Sequence, residues 1–313
     1  MNIVLALLGR LARLVLLLLA VSLVSFLIVQ ISPGDPAEIA IRVNDVTPTP
    51  ELLAETRAQL GLDKPLFVRY LHWLARALQG DLGTRYTDGK PVVGELAAAL
   101  PPTLLLAGAA LLVILLCSVP AALVSAFFAG RAPDILLRGL IFFCASVPAF
   151  WAGLLLIWLF AVHWDLLPSS GLEGAASLVL PAVTLALPYI PTYTRLLRSS
   201  LLHTRQQDFV LYARACGRSR GALLRHIVRN SLQSSLAGLG MSLPRLIAGT
   251  FVVECIFAWP GLGRLCVTAI FNRDFPVIQA YVLLMAVLFA VCNVLMEGCA
   301  ALVDPRLRDR RKQ

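Results

Sequence analysis

Residues 208–230 read Asp208-Phe-Val-Leu-Tyr-Ala-Arg-Ala-Cys-Gly217, then Arg218-Ser-Arg220-Gly-Ala-Leu-Leu-Arg225-His226-Ile-Val-Arg229-Asn230. The first part is rich in helix formers and opens on an acid, which suits the positive end of a helix dipole. Gly217 stands where a helix C-cap belongs. A second helix is expected from about Arg218 or Gly221 to Asn230. The stretch therefore reads as two helices joined by a tight turn, an elbow rather than a slack linker. Basic loops also fix topology or touch anionic lipid, and the pattern alone leaves that second reading open.

On either side of this elbow the chain is apolar. Of its 313 residues 58% are hydrophobic and 14% charged, and the mean hydropathy is +0.80. That leaves too few polar groups to coat a soluble domain of this size. Six runs are long and apolar enough to cross a bilayer: Leu11–Ile31, Thr103–Phe128, Leu136–Phe160, Ser177–Thr194, Leu232–Ile256 and Ile278–Val303. The expected fold is an all-α membrane protein with six transmembrane helices. Pro181, Pro188 and Pro191 interrupt the fourth run and predict a bend in it. The first run follows Arg10 and Arg13 but is long for a signal peptide and lacks a following A-x-A site, so it reads as an uncleaved span.

Most of the 27 Lys and Arg lie in alternate connections: the N-terminus, Gly130–Arg138, Arg195–Ser231 and the tail after Val303. Those connections hold the acids Asp134, Asp208, Asp304 and Asp309, whereas the other connections are net acidic. The positive-inside rule then places both termini and the elbow in the cytoplasm. The net charge of +9 is spread between apolar runs with no aromatic-interleaved stripe, which argues against nucleic acid as a partner. None of the seven cysteines forms a C-x-x-C pair, and buried free thiols are the expected state.

Ser32–Pro102 is the large external segment. Thr49 as N-cap, Pro50 at the first helical position and Gly61 after the end predict one short helix. Phe67, Tyr70, Leu71, Trp73, Leu74, Ala77 and Leu78 recur at helical spacing and predict a second, from Pro65 to Gly80, lying on the outer bilayer surface.

The elbow resembles the "EAA"-type coupling loop of ABC importer permeases, in the form D-Y-V-x-T-A-R-A-K-G-x-S-x(6)-R-H-x-x-R-N of the peptide/nickel subgroup. Asp208, Phe209, Val210, Ala213, Arg214, Ala215, Gly217, Ser219, Arg225, His226, Arg229 and Asn230 match. Leu211 and Tyr212 depart from the broader family's Glu and Ala, and Cys216 replaces a Lys. Glu254-Cys-Ile-Phe257-Ala-Trp-Pro260-Gly261-Leu-Gly263 is similar to the subgroup's E-x-x-F-x-x-P-G-x-G, and Arg273-Asp274-Phe-Pro276-Val-Ile-Gln279 to its R-D-x-P-x-[IV]-Q. Gly80-Asp81-Leu82-Gly83, Leu100-Pro101-Pro102-Thr103 and Ser32-Pro33-Gly34-Asp35-Pro36 extend the likeness along the chain, and the wording of 256–279 is most similar to nickel-transport permeases.

The resemblance implies a type I ABC importer permease fold. Its expected partners are a second homologous permease subunit, two ABC ATPase subunits that bind ATP and Mg, a periplasmic solute-binding protein, and membrane lipid. It implies a segmentation into 1–95, a first helix with the external segment; 96–305, the permease core with its coupling loop at 195–231; and 306–313, a basic tail. It also implies nickel or a nickel–chelator complex as cargo, with peptides or another metal–metallophore as the alternative.

The chain itself carries no cofactor signature. A P-loop requires G-x-x-x-x-G-K-[ST], and Gly89-Lys90-Pro91 is the only Gly-Lys pair. No catalytic constellation and no metal-ligand spacing stands out among His72, His163, His203 and His226. Within the spans, Arg245, Glu254 and Glu297 are pathway or gating candidates, because intramembrane charges are costly. Pro260, Gly261 and Gly263 join them through the motif. Arg245 and Glu254 sit about 180° apart on a regular helix and are not expected to pair; Glu297 or an acid of the partner permease is the expected partner of Arg245. An ion-coupled secondary transporter is the rival class, but the first half does not visibly echo the second.

Overall fold

A computed structural model describes residues 2–31, 34–43, 46–240 and 243–303. The expected basic tail at 306–313 lies outside the described residues, as do Ser32 and Pro33 of the motif after the first span. All regular elements among the described residues are helical. They are α1 (Asn2–Ile31), α2 (Pro36–Arg42), α3 (Pro50–Gln59), α4 (Leu66–Leu78), α5 (Val92–Phe127), α6 (Ala132–Ser146), α7 (Ala149–Leu156), α8 (Val179–Ala186), α9 (Ile190–Arg205), α10 (Asp208–Ala215), α11 (Arg220–Gly240), α12 (Leu243–Ile256), α13 (Leu262–Phe271) and α14 (Phe275–Val303). A π-helical segment, Ile157–His163, continues α7.

Among the described residues three helices are long and apolar enough to cross a membrane, at Ala12–Ile31, Val92–Phe127 and Phe275–Met296, and counting each of two bent pairs as one span makes five. The third expected span is not continuous: α6 and the helix after it meet at 99°. Val147 is extended there (φ −86°, ψ 124°), the conformation that Pro148 imposes on the residue before it. The bend expected in the fourth run is present, at 63° between Ala176–Ala186 and Ile190–Arg205. The fifth run falls on α11 and α12, with 241–242 between them outside the described residues.

The chain divides into two compact units. One comprises the residues up to Pro102 together with Pro260–Val291. Its core joins Val92, Leu96 and Ala99 at the foot of α5 to Leu262 and Ala269 of α13 and Val277 and Ala280 of α14. The two short helices expected between Ser32 and Pro102 form. The Thr49 hydroxyl caps α3 by accepting from Leu52 N–H at 3.3 Å, and Gly61 follows α3 with φ +65°. In α4 the Tyr70 hydroxyl meets Ser22 Oγ of α1 at 2.9 Å, and the Tyr70 and Phe26 rings pack edge to face at 5.5 Å.

Within the same unit Asp274 is buried between α13 and α14 and accepts from Tyr86 N–H at 3.2 Å. Burial holds its carboxyl above the ordinary value, against the opposing pull of that amide and of Arg85.

The other unit comprises Thr103–Trp259 and the residues from Cys292 on. Its α5, α9, α10 and α11 share one core: Ala122, Ala126, Leu197, Leu201, Val210, Leu223 and Ile227. Each of the three long helices contributes an i, i+4 pair, the spacing that puts two side chains on one helix face.

Candidate functional site

The elbow closes as a Schellman motif. Gly217 N–H donates to Arg214 C=O at 3.0 Å and Arg218 N–H to Ala213 C=O at 3.2 Å, with Gly217 in the left-handed region at φ +70°. A Cβ on Gly217 would meet nothing within 4 Å, so conformation, not space, asks for glycine. The next helix starts at once. Ser219 Oγ accepts from Ala222 N–H at 3.4 Å, and α11 runs from Arg220 to Gly240, past the Asn230 end that the sequence suggested. Arg218 Nη1 lies 3.1 Å from His226 Nε2. Arginine only donates, so His226 accepts with that nitrogen and the turn is tied to the second turn of α11. Asn230 Nδ2 donates to His226 C=O at 2.9 Å.

Val210 alone of α10 is fully buried and pins the helix to the core. Asp208, Arg214, Ala215, Arg225, His226, Arg229 and Asn230 are exposed, and Ala213 is half-buried. Phe209, Leu211 and Tyr212 project too, with Tyr212 73% exposed. Beside them is a groove of about 390 Å³ floored by Leu223, Leu224 and Ile227 and flanked by Arg205, Arg214 and Arg218. Exposed aromatic and apolar side chains beside cations have the composition common to partner-recognition surfaces.

A buried anion that sequence reasoning passed over holds α9, the helix that leads into the elbow. Asp134, in the first turn of α6, is fully buried. Its carboxylate accepts from Arg198 Nη2 at 2.9 Å, Arg198 Nε at 3.2 Å, Gly130 N–H at 2.9 Å and the Ser125 hydroxyl. Arg138 Nε adds a contact at 3.3 Å, and Arg198 Nε also donates to Ser125 Oγ at 2.8 Å. Arg198 sits on α9, so one bidentate fork ties α9 to the α5–α6 turn. Two residues further along α9, Ser200 Oγ donates to Ser231 C=O of α11 at 3.1 Å and Ser231 Oγ donates to Ser200 C=O at 3.4 Å. Asp134 and Arg198 stand 64 residues apart, and no local pattern links them.

Arg245 and Glu254 do not pair with each other. Glu254 is fully buried and its Oε1 accepts from Thr103 Oγ1 of α5 at 2.7 Å. Arg245 is exposed, and its carbonyl accepts from the Tyr189 hydroxyl at 3.1 Å. Gly249 keeps that contact open, since a Cβ there would come within 3.2 Å of the tyrosine oxygen. The Glu297 side chain lies outside the described residues.

The E-x-x-F-x-x-P-G motif ends α12 with a second Schellman motif, Trp259 N–H donating to Glu254 C=O at 2.8 Å, but here the left-handed residue is Ala258 (φ 49°). In the first unit, Gly261 is the N-cap of α13 with extended backbone, Gly263 is buried and Pro260 is exposed. Glu254→Ala removes a buried carboxyl acceptor; it is expected to destabilise the protein by about 1–3 kcal/mol, read as a lower melting temperature, with Glu254→Gln losing less. Among the described residues no three His, Cys, Asp or Glu side chains group as a metal site.

Comparison with known proteins fits this geometry. Residues 118–309 match the model of the family described as binding-protein-dependent transport system inner membrane component, and residues 3–107 that of its N-terminal part. The metal-staphylopine import system permease protein CntB of Staphylococcus aureus is 39% identical over 304 residues, covering 96% of this chain and 97% of that protein. The glutathione transport system permease protein GsiC of Salmonella typhimurium is 35% identical, covering 96% and 98%. Among solved structures, the inward-facing MetNI methionine ABC transporter matches with TM-score 0.57 at 16% identity, covering 67% of this chain and 96% of that one. An amino acid ABC transporter matches with TM-score 0.51 at 16% identity, covering 68% and 94%. These two show the fold, that of an ABC importer permease. The family match extends through the elbow, its Asp134 tether and the Glu254 motif, and on it the chain belongs to the inner membrane components of binding-protein-dependent transport systems.

Proposed function

We propose that this chain is one half of the solute pathway of an ATP-driven importer for a metal–chelator complex, nickel being the metal first to test. The observation that carries the cargo reading is the 39% identity, over nearly the whole of both chains, to a metal-staphylopine import permease. The elbow faces the cytoplasm and docks its exposed Phe209 and Tyr212 in a partner ATPase. Two such ATPases close on ATP and Mg, which they bind, and move the elbows of this chain and of a second, homologous permease. The Asp134–Arg198 fork passes the displacement of α9 to the α5–α6 turn. A periplasmic binding protein delivers the solute.

A second reading, glutathione or a peptide as cargo, is favoured by the 35% identity to a glutathione permease. Uptake in a strain lacking this chain decides between them. Complementation is expected to restore accumulation of radiolabelled nickel presented with a chelator, while labelled glutathione and dipeptide remain at background. Restoration of peptide or glutathione uptake alone overturns the metal reading and leaves the importer reading standing.

A further inference from the structure

The amphipathic helix α4 has two different faces. Phe67, Leu71 and Leu78 are exposed, at 69%, 46% and 82%. Arg69, His72 and Arg76 instead line a cavity of about 500 Å³ within the first unit, together with Lys64, Asp81 and Tyr86. The cations outnumber the anions there. Asp81 is already engaged, by Arg76 at 2.7 Å and by the Gly83 amide at 2.9 Å, and these contacts hold its carboxyl below the ordinary value. Among the described residues Arg69 and Lys64 form no ion pair. Arg69 is half-buried, and burial pulls its guanidinium below its ordinary pKa. A cation withdrawn from water without a counter-ion is costly, and a bound anion removes that cost. Burial also keeps the Tyr86 phenol protonated, so it offers no competing negative charge. The cavity is of a size that accepts a headgroup-sized molecule. The Tyr70 and Trp73 rings, stacked at 6.3 Å, mark the same helix as one of the membrane–water interface.

We propose that this cavity binds a phosphate anion, held by the Arg69 fork and the Lys64 ammonium, and drawn either from the headgroup of an anionic phospholipid or from a soluble phosphate. The guanidinium fork matches the paired oxygens of a phosphate, and the ammonium adds a second charge. The site is independent of the cargo reading.

The test uses the full transporter in phosphatidylcholine nanodiscs. One arm adds phosphatidylglycerol, the other inorganic phosphate, and native mass spectrometry and thermal stability are read in both. Stabilisation with retained phosphatidylglycerol assigns the site to lipid; stabilisation by inorganic phosphate assigns it to a soluble anion. In either case Arg69→Gln is expected to weaken binding about tenfold, the loss of one charge-assisted contact. Arg57→Gln, at a residue that does not line the cavity and pairs with Asp35 at 2.7 Å, is expected to leave it unchanged. Should Arg69→Gln fail to assemble, Lys64→Gln at the exposed rim carries the same expectation. No response to either anion, or equal losses in the cavity variant and in Arg57→Gln, overturns the proposal.

Discussion

Asp134→Ala is expected to abolish uptake and to lower the melting temperature of the purified complex by several degrees. The carboxylate is fully buried and accepts from Arg198, Ser125 and the Gly130 amide. Removing it leaves the partly buried Arg198 without its counter-ion, with the Ser125 hydroxyl still accepting from Nε. Breaking one side of a buried ion pair costs 3–5 kcal/mol; about 3 kcal/mol applies here, the low end, because some water still reaches Arg198. The double variant Asp134→Ala/Arg198→Met separates the two contributions. Replacing both partners by apolar groups removes the stranded charge, so stability is expected to recover. Uptake is expected to stay low, since the link between α9 and the α5–α6 turn is still missing. Recovery of uptake along with stability makes the fork a packing device and not a transmission element.

Gly217→Val is expected to lower uptake about five- to thirtyfold while the complex still assembles. The residue sits at φ +70°, where an L side chain costs about 1–2 kcal/mol and a β-branched one more, and that energy shifts a conformational equilibrium by this factor. No atom obstructs a Cβ, so the loss comes from backbone conformation alone. Gly217→Asn, which tolerates the left-handed region, is expected to retain most of the activity. Uptake measured beside ATP hydrolysis discriminates: an elbow bent wrongly hydrolyses ATP without transport, whereas a merely unfolded protein does neither.

Gly217 was legible in the sequence because glycine after a short helix has one common use. The same backbone turn at Ala258 (φ 49°) and Arg273 (φ 54°) was not, because neither residue type announces a positive φ. Tertiary structure holds both in place, and strain of that kind clusters at functional segments. Thr49, Pro50 and Gly61 announced α3 through cap chemistry that acts within a few residues. The break at Val147–Pro148 was hidden inside a continuous apolar run, since hydropathy averages over the proline that makes it. Arg198 entered only as one charge of a basic loop. Its role depends on Asp134 reaching it across the fold, and pairings of that range leave no trace in one sequence. Glu254 was singled out as an intramembrane charge, and the Thr103 hydroxyl, 151 residues away in sequence, donates to it.

An Asp208–Asn230 elbow that transmits nucleotide-driven motion to the membrane helices must touch the ATPase subunit that moves it. Tyr212, exposed midway along α10, is the position to probe. With a photo-crosslinking amino acid in its place, illumination of inner membranes holding the whole transporter is predicted to join this chain to the ATP-hydrolysing subunit, with a yield that changes when nucleotide is added. Adducts with the periplasmic binding protein alone, or none with a nucleotide-binding subunit, contradict it.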